Sequence, residues 1–373
     1  MSCKSLRDFQ LNYEKLQEKV YFVLNILQCY STDNAKYPVL RKFITPGIVA
    51  MFLLTNGLSL FCEIEGDLIM VMTACIVIFI GIGQILSKII VMVFSMKKIE
   101  DLVDWIHTVH QDPSWYDLGS FVEQRLQVTL RYANIGTKIA LLATVPTGQV
   151  MTLGFYITNI LIFRIPILPK IAEYIWQSIA LTVCITFLII VECLLLFFGL
   201  YFVSIFNIYL DSIERLNDKD FVNSSRSHMR HYHQKHLQIL IKLKDFDTIF
   251  SSIQIVLLGS GTPLIIGTLY LIRLYPTLLI GYLMFFPVML QFLEVCIFGE
   301  FIHSKTDKIF SALYSTRWYD LSKEDQMILL MIMNMTLKPF SLKAAGMYEI
   351  NMRTFLNVTK FCFSFCAFLY AFT

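Results

Sequence analysis

Six stretches of this chain are long and apolar enough to cross a bilayer, and nothing else in the sequence limits its fold as strongly. They are FITPGIVAMFLLTNGLSLFC (43–62), LIMVMTACIVIFIGIGQIL (68–86), IALLATVPTGQVMTLGFYI (139–157), IALTVCITFLIIVECLLLFFGLYF (179–202), IFSSIQIVLLGSGTPLIIGTLYLI (249–272) and LLIGYLMFFPVMLQFLEVCIFGEFI (278–302). A bilayer core is spanned by about twenty helical residues. Inside it every backbone polar group needs an internal partner, which a helix supplies within its own segment. A seventh candidate closes the chain, Thr354 to Thr373, although Arg353 opens it and Lys360 lies within it. Charged residues make up 16% of the chain and hydrophobic ones 56%, against roughly 25% charged in a soluble domain. The expected class is therefore an all-α integral membrane protein with seven transmembrane helices.

Cations set its orientation. With a cytoplasmic N-terminus, 24 of the 31 Lys and Arg fall on the inner side and only Arg164, Lys170 and Arg273 outside. The first outer loop carries Glu63, Glu65 and Asp67. That asymmetry follows the positive-inside rule and leaves the C-terminus extracellular after seven spans. It also runs opposite to a G-protein-coupled receptor, and no Asp/Glu-Arg-Tyr follows span three and no Asn-Pro-x-x-Tyr lies in span seven. No G protein is required by this reading. The formal charge of +3 does not suggest nucleic acid, and the nine cysteines show no CxxC pair, so no disulfide framework or metal site is expected. The first 42 residues have no apolar h-region or cleavage site, so no signal peptide is expected. No HExxH, GxSxG or P-loop is present, so the chain is not read as an enzyme and no cofactor is expected.

The long inner segments form a layer of their own. Residues 208–246 read as largely helical, with Ile239, Leu240 and Leu243 on one stripe. MILLMIM (327–333) is too short to span and reads as an interfacial helix, with Ser322 and Asp325 at capping-box spacing and Lys338-Pro339 stopping it. HMRHYHQKH (228–236) reads as a solvated helix face, because His231 and His233 point about 200° apart and cannot share one metal. Lys88 and Lys138 can snorkel to the inner interface.

Ionisable groups inside spans are costly unless paired or wet. Glu192, Glu294 and Glu300 lie in the inner halves of spans four and six, with Arg353 and Lys360 as the obvious opposite charges. Two readings stay open: they line a polar conduit, or they pair structurally. Pro146, the Gly259–Pro263 segment and Pro287 are expected to interrupt spans three, five and six at mid-depth or further out. Helices splayed beyond such breaks leave room for a small apolar guest. By depth and face the lining is expected to include Met72, Thr73, Ile76, Thr147, Met151, Phe155, Ile179, Val183, Tyr282 and Phe285, with Tyr270 a further polar candidate. In the last span Phe361, Phe365, Phe368 and Phe372 form one aromatic face beside Lys360. Around a shared axis such a face makes hydrophobic rings that can gate by dewetting; in a lone subunit it packs or meets lipid.

The closing region, LYSTRWYDLSKEDQMILLMIMNMTLKPFSLKAAGMYEINMRTFLNVTKFCFSF, resembles the C-terminal signature of insect odorant receptors. Its elements fall on Tyr314, Trp318 and Tyr319, on Lys338-Pro339, on Ala344, Ala345 and Gly346, on Phe355, and on Ser364-Phe365. The resemblance implies a tetrameric, ligand-gated, non-selective cation channel with the seventh helix around a central pore. It implies an anchor between subunits at the cytoplasmic ends of spans four to seven and an odorant pocket in the outer half. This chain lacks the long insertion of the shared co-receptor between spans four and five, so it resembles a tuning subunit. Its expected partners are co-receptor subunits in a heterotetramer, a small volatile organic ligand and the lipid bilayer. Its expected location is the plasma membrane of olfactory sensory neurons. Phe368 and Phe372 match the co-receptor's aliphatic gate positions when the tails are aligned. The expected organisation is residues 1–302 as an N-terminal helix and spans one to six, 303–349 as the cytoplasmic anchor and 350–373 as the pore-lining span. The alternatives are a gustatory-type homotetrameric channel and a membrane transporter.

Overall fold

The computed structural model describes residues 3–27, 38–62, 67–116, 118, 121–165, 168–217 and 228–371. Helices dominate: α1 (Cys3–Ile26), α2 (Pro38–Ser59), α3 (Leu68–Phe94), α4 (Met96–Gln111), α5 (Pro113–Tyr116), α6 (Phe121–Ile157), α7 (Lys170–Glu214), α8 (His228–Leu274), α9 (Leu279–Tyr314), α10 (Lys323–Thr336) and α11 (Met352–Ala371). Among the described residues α2, α3, α6, α7, α8 and α9 are long and apolar enough to cross a membrane by composition. The seventh span is α11, twenty residues long.

The spans overrun the bilayer on the inner side, as the 45 residues of α7 and the 47 of α8 require. Their inner ends are zipped by aromatic side chains. Phe198, Phe202, Phe246 and Phe250 are fully buried against one another, with the Phe246 and Phe250 rings 4.3 Å apart. Next to them α4 buries Ile99, Leu102, Val103, Ile106 and Val109, a helical stripe. Tyr13 of α1 stacks on His110 of α4 at 3.9 Å, and His110 Nε2 lies 3.1 Å from the Tyr201 hydroxyl of α7.

Three expectations are corrected here. HMRHYHQKH is not a solvated face: Met229, Tyr232, Lys235 and His236 are buried. Lys235 reaches Asp112 at 3.2 Å and Ser114 Oγ at 2.6 Å, and lies over the Trp115 ring. The α5 turn gives that cation a partner which sequence distance concealed. Hydrogen bonds from Ser114 and Lys235 hold the Asp112 carboxyl below its ordinary range, although burial acts to raise it. The proline segments do not interrupt their helices. Pro146, Pro263 and Pro287 lie inside continuous α6, α8 and α9, and the hydroxyls of Thr147 and Thr262 donate to carbonyls one turn back. Lys88 does not snorkel, being 1% exposed and ion-paired.

On the outer side, the segment between α6 and α7 folds inward, burying Ile160, Ile162 and Phe163. Buried backbone groups need partners, and neighbouring helices provide them. Ile162 N–H donates to Gln177 Oε1 (2.8 Å), the Ile162 carbonyl accepts from Asn56 Nδ2 (2.7 Å) and Ser59 Oγ (2.9 Å), and Ile165 N–H donates to Glu173.

Between α10 and α11 lies a short hairpin, β1 (Lys343–Ala344) and β2 (Tyr348–Glu349), whose Lys343 N–H donates to Asp247 of α8. Ala345 and Gly346 turn it with consecutive positive φ of 50° and 70°. A Cβ on Gly299 would collide with the Ile350 carbonyl just beyond, so only glycine permits this approach. Ser322 caps α10 as its spacing implied, accepting from Asp325 N–H.

Candidate ligand-binding site

A cavity of about 190 Å³ lies in the bundle between α3, α6, α7, α8 and α9. Its walls are aliphatic: Val77 and Ile82 from α3, Met151 from α6, Leu181 and Leu188 from α7, Leu264 from α8, and Met284 and Val288 from α9. Phe163, from the infolded outer segment, also lines it, as does Pro287. Close helix approach frames the space. A Cβ on Gly148 of α6 would meet the Thr182 backbone of α7 at 2.8 Å.

Two amides line this otherwise apolar space, and a single chain of hydrogen bonds joins them to a buried ion pair. Gln84 Nε2 of α3 donates to Gln291 Oε1 of α9 at 3.1 Å, and Gln291 Nε2 donates to Glu192 Oε1 of α7 at 2.5 Å. Glu192 Oε1 also lies 2.6 Å from Lys88 Nζ. Lys88 is therefore the opposite charge for Glu192, not Lys360 or Arg353; Lys360 is exposed. Glu300 Oε2 accepts from Met352 N–H at the start of α11 (3.3 Å), so it caps that helix. Low-dielectric surroundings make each of these bonds stronger and each missing partner more costly.

Of the residues expected to line a ligand site, the structure brings Thr147 and Met151 to this cavity. Phe155 is fully buried and outside the lining. Met72 and Thr73 are half-buried and Ile76 is exposed, all before Val77, where the α3 wall begins. Ile179 is exposed and Val183 half-buried on faces of α7 away from the lining. Tyr282 lines a different cleft, beside Cys366 of α11, and Phe285 packs edge-on to Phe286. The cavity lies deeper than most of that expected lining, and beside Thr147 its polar groups are the Gln84 and Gln291 amides. Thr73 donates to Ile69 O (2.7 Å) and Thr147 to Ala143 O (2.7 Å), so each hydroxyl proton is already committed. Gln84 and Gln291 carry no charge and so do not stand out among the ionisable groups of the spans. The signal that finds them is an uncharged amide placed inside a span, where its hydrogen-bonding groups need partners.

The last helix presents two unlike faces. Cys362 and Cys366 are buried, with Cys362 Sγ 3.8 Å from the Thr262 carbonyl of α8. Phe361, Phe365 and Phe368 stand exposed, with successive ring centroids 5.9 and 6.3 Å apart. Phe372 lies outside the described residues. The helix is tied to the cavity wall by Phe355 packing 5.6 Å from Phe292, the residue after Gln291.

The 7tm Odorant receptor family profile matches residues 67–363. The chain belongs to the insect odorant receptor family. Odorant receptor 33c of Drosophila melanogaster is 28% identical over 172 residues, which is 44% of each chain. Odorant receptor 33b is 30% identical over 81 residues, 22% of this chain and 21% of that one. The matched parts span less than half of those relatives' lengths. Over 97% of this chain and 100% of the other, the fold matches the insect olfactory receptor OR5 from Machilis hrabei in complex with eugenol, with a TM-score of 0.79 and 13% identity. That likeness establishes the seven-helix membrane fold of this odorant receptor family member. The family is one of multi-pass receptors, not of enzymes.

Proposed function

We propose that this receptor is an odorant-tuning subunit of a heteromeric, ligand-gated, non-selective cation channel, sensing a small, mostly apolar volatile molecule. The observation that carries the reading is an apolar cavity walled by five spans, whose α9 wall also holds the last helix. Burial supplies most of the binding, at about 25 cal/mol per Å² of apolar surface removed from water, and a few polar groups fix orientation. A guest biases the channel only by fitting one arrangement of α9 better than the other. Through Phe292, Gly299 and Glu300 that bias reaches α11. The complex of the structural neighbour with eugenol supports a small-molecule guest in this fold.

Residues 350–373 serve as the pore-lining span. The exposed ladder Phe361, Phe365 and Phe368 supports this, since it lies on the face of α11 turned away from its own bundle. Residues 303–349 form the inter-subunit anchor, for which the exposed Met327, Leu330, Met331 and Met335 of α10 speak. The partners are co-receptor subunits in a tetramer, in the plasma membrane of olfactory sensory neurons. Whole-cell recording with and without a co-receptor, against a panel of small odorants, tests the reading. Current requiring both subunits, and silenced by Met151→Trp in a chain that still reaches the surface, is expected. Current from this chain alone would instead make it a gustatory-type homomer, and unchanged responses in Met151→Trp would remove the cavity from the mechanism.

A further inference from the structure

The hydrogen-bond chain beneath the cavity has a fixed direction, and that direction selects a class of guest. Glu192 is ion-paired with Lys88 at 2.6 Å, and a carboxylate can only accept. Gln291 must therefore turn its amide nitrogen to Glu192, which leaves its oxygen facing Gln84. Gln84 in turn must offer nitrogen to that oxygen. The orientation of both amides, ordinarily ambiguous, follows from the one residue in the row that has no proton to give. Among the described residues, the Gln84 side chain makes this one hydrogen bond. It keeps its carbonyl oxygen and one N–H, and Gln291 keeps one N–H. Both side chains line the cavity and are otherwise buried, 3% and 6% exposed.

We propose that the cavity is selective for a guest bearing a hydroxyl, an aliphatic alcohol or a phenol, with Gln84 as the specificity-determining residue. This rests on the cavity being the ligand site. A hydroxyl donates its proton to Gln84 Oε1 and accepts from a spare amide N–H of the Gln84–Gln291 pair, so both kinds of unmet group are satisfied. An ether, ketone or ester of the same shape accepts the N–H but gives Gln84 Oε1 nothing. A hydrocarbon satisfies neither. A site built around a buried polar group rejects an analogue lacking the matching partner more strongly than an apolar wall rejects a change in size.

The test compares two matched series on the full chain expressed with a co-receptor: hexanol, its methyl ether and hexane, and phenylethanol, its methyl ether and ethylbenzene. In at least one series the alcohol is expected to act at a half-maximal concentration about tenfold or more below its ether, the scale of one unmet hydrogen bond. Gln84→Met, close in shape and unable to hydrogen-bond strongly, is expected to collapse that ratio to within about threefold. Surface labelling confirms that the variant folds, and the wild-type comparison needs no variant. Alcohol-to-ether ratios below about tenfold in both series, or no current from either alcohol, overturn the proposal. Met151→Trp separates the two levels. If it silences the alcohols but wild type shows no hydroxyl preference, only the Gln84 assignment falls. If it leaves alcohol currents intact, the cavity reading falls first.

Discussion

The outer and inner halves of α7 and α8 belong to the same two helices and are packed in opposite ways. In the outer half, Leu181 and Leu188 of α7 and Leu264 of α8 border open space, with the amide chain and its ion pair at the cavity's base. In the inner half, Phe198, Phe202, Phe246 and Phe250 are fully buried, and so are Tyr209 and Tyr232, whose rings lie 6.5 Å apart. Close packing transmits strain and resists rearrangement, whereas a void forfeits dispersion contacts and tolerates repacking. A receptor that must change shape around a guest while staying assembled needs both. The two halves divide those tasks along one pair of helices.

Truncations on either side break or sharpen that contrast. Phe250→Ala in the inner zipper is expected to cost about 3–5 kcal/mol, because the surrounding rings cannot close the hole. Leu188→Ala, on a wall that already faces a void, is expected to cost about 2 kcal/mol, the low end for a leucine truncation. Thermal unfolding of both variants in the same detergent checks the difference. Equal losses would mean that the outer half is packed as tightly as the inner. The ion pair sits at the boundary between the halves and is expected to fall between these two values. Lys88→Met leaves Glu192 without its cation in a buried place, at about 3–4 kcal/mol, and surface expression should drop accordingly. Adding Glu192→Gln to that variant removes the orphaned charge and is expected to recover most of the loss. A double variant no better than the single one would show that the pair does not act as a unit.

The sequence made the frame of this contrast visible and hid its content. Span count, orientation and the capped α10 follow from hydropathy, cation placement and local spacing, which are properties of one segment at a time. The partner of Lys88 was not visible, because Glu192 is 104 residues away and on another helix. Lys235 was misplaced for the same reason, since Asp112 and Trp115 meet it only after α5 turns under α8. Prolines suggested breaks because their lost N–H is a local fact, yet α6, α8 and α9 run through them. Of the expected lining only Thr147 and Met151 border this cavity, for a related reason. Position along a span can be counted from the sequence, but the depth at which five helices part is set by side chains such as Phe163, which belongs to no span.

The smallest expected effect concerns the inner layer and comes from His110. Burial pushes its imidazole down to about 3 from an ordinary value near 6.5, with the nearby His107 adding to the shift. Tyr13 of α1 and Tyr201 of α7 enclose it, and neither supplies a negative charge at neutral pH. The folded chain therefore keeps His110 neutral while the unfolded chain takes up a proton below pH 6.5. Where the unfolded state binds more protons, stability rises with pH. The contribution is complete above pH 6.5 and declines by at most about 1.4 kcal/mol for each unit of acidification below it, until the folded pKa is reached. His110→Phe keeps the stack on Tyr13 and has no proton to bind. Unfolding temperatures between pH 7 and 5 should fall less for that variant than for the wild type, and parallel curves would show that the junction of α1, α4 and α7 admits the charged ring. A receptor acidified on its cytoplasmic face would then loosen first at this junction, where its helices are tightly packed.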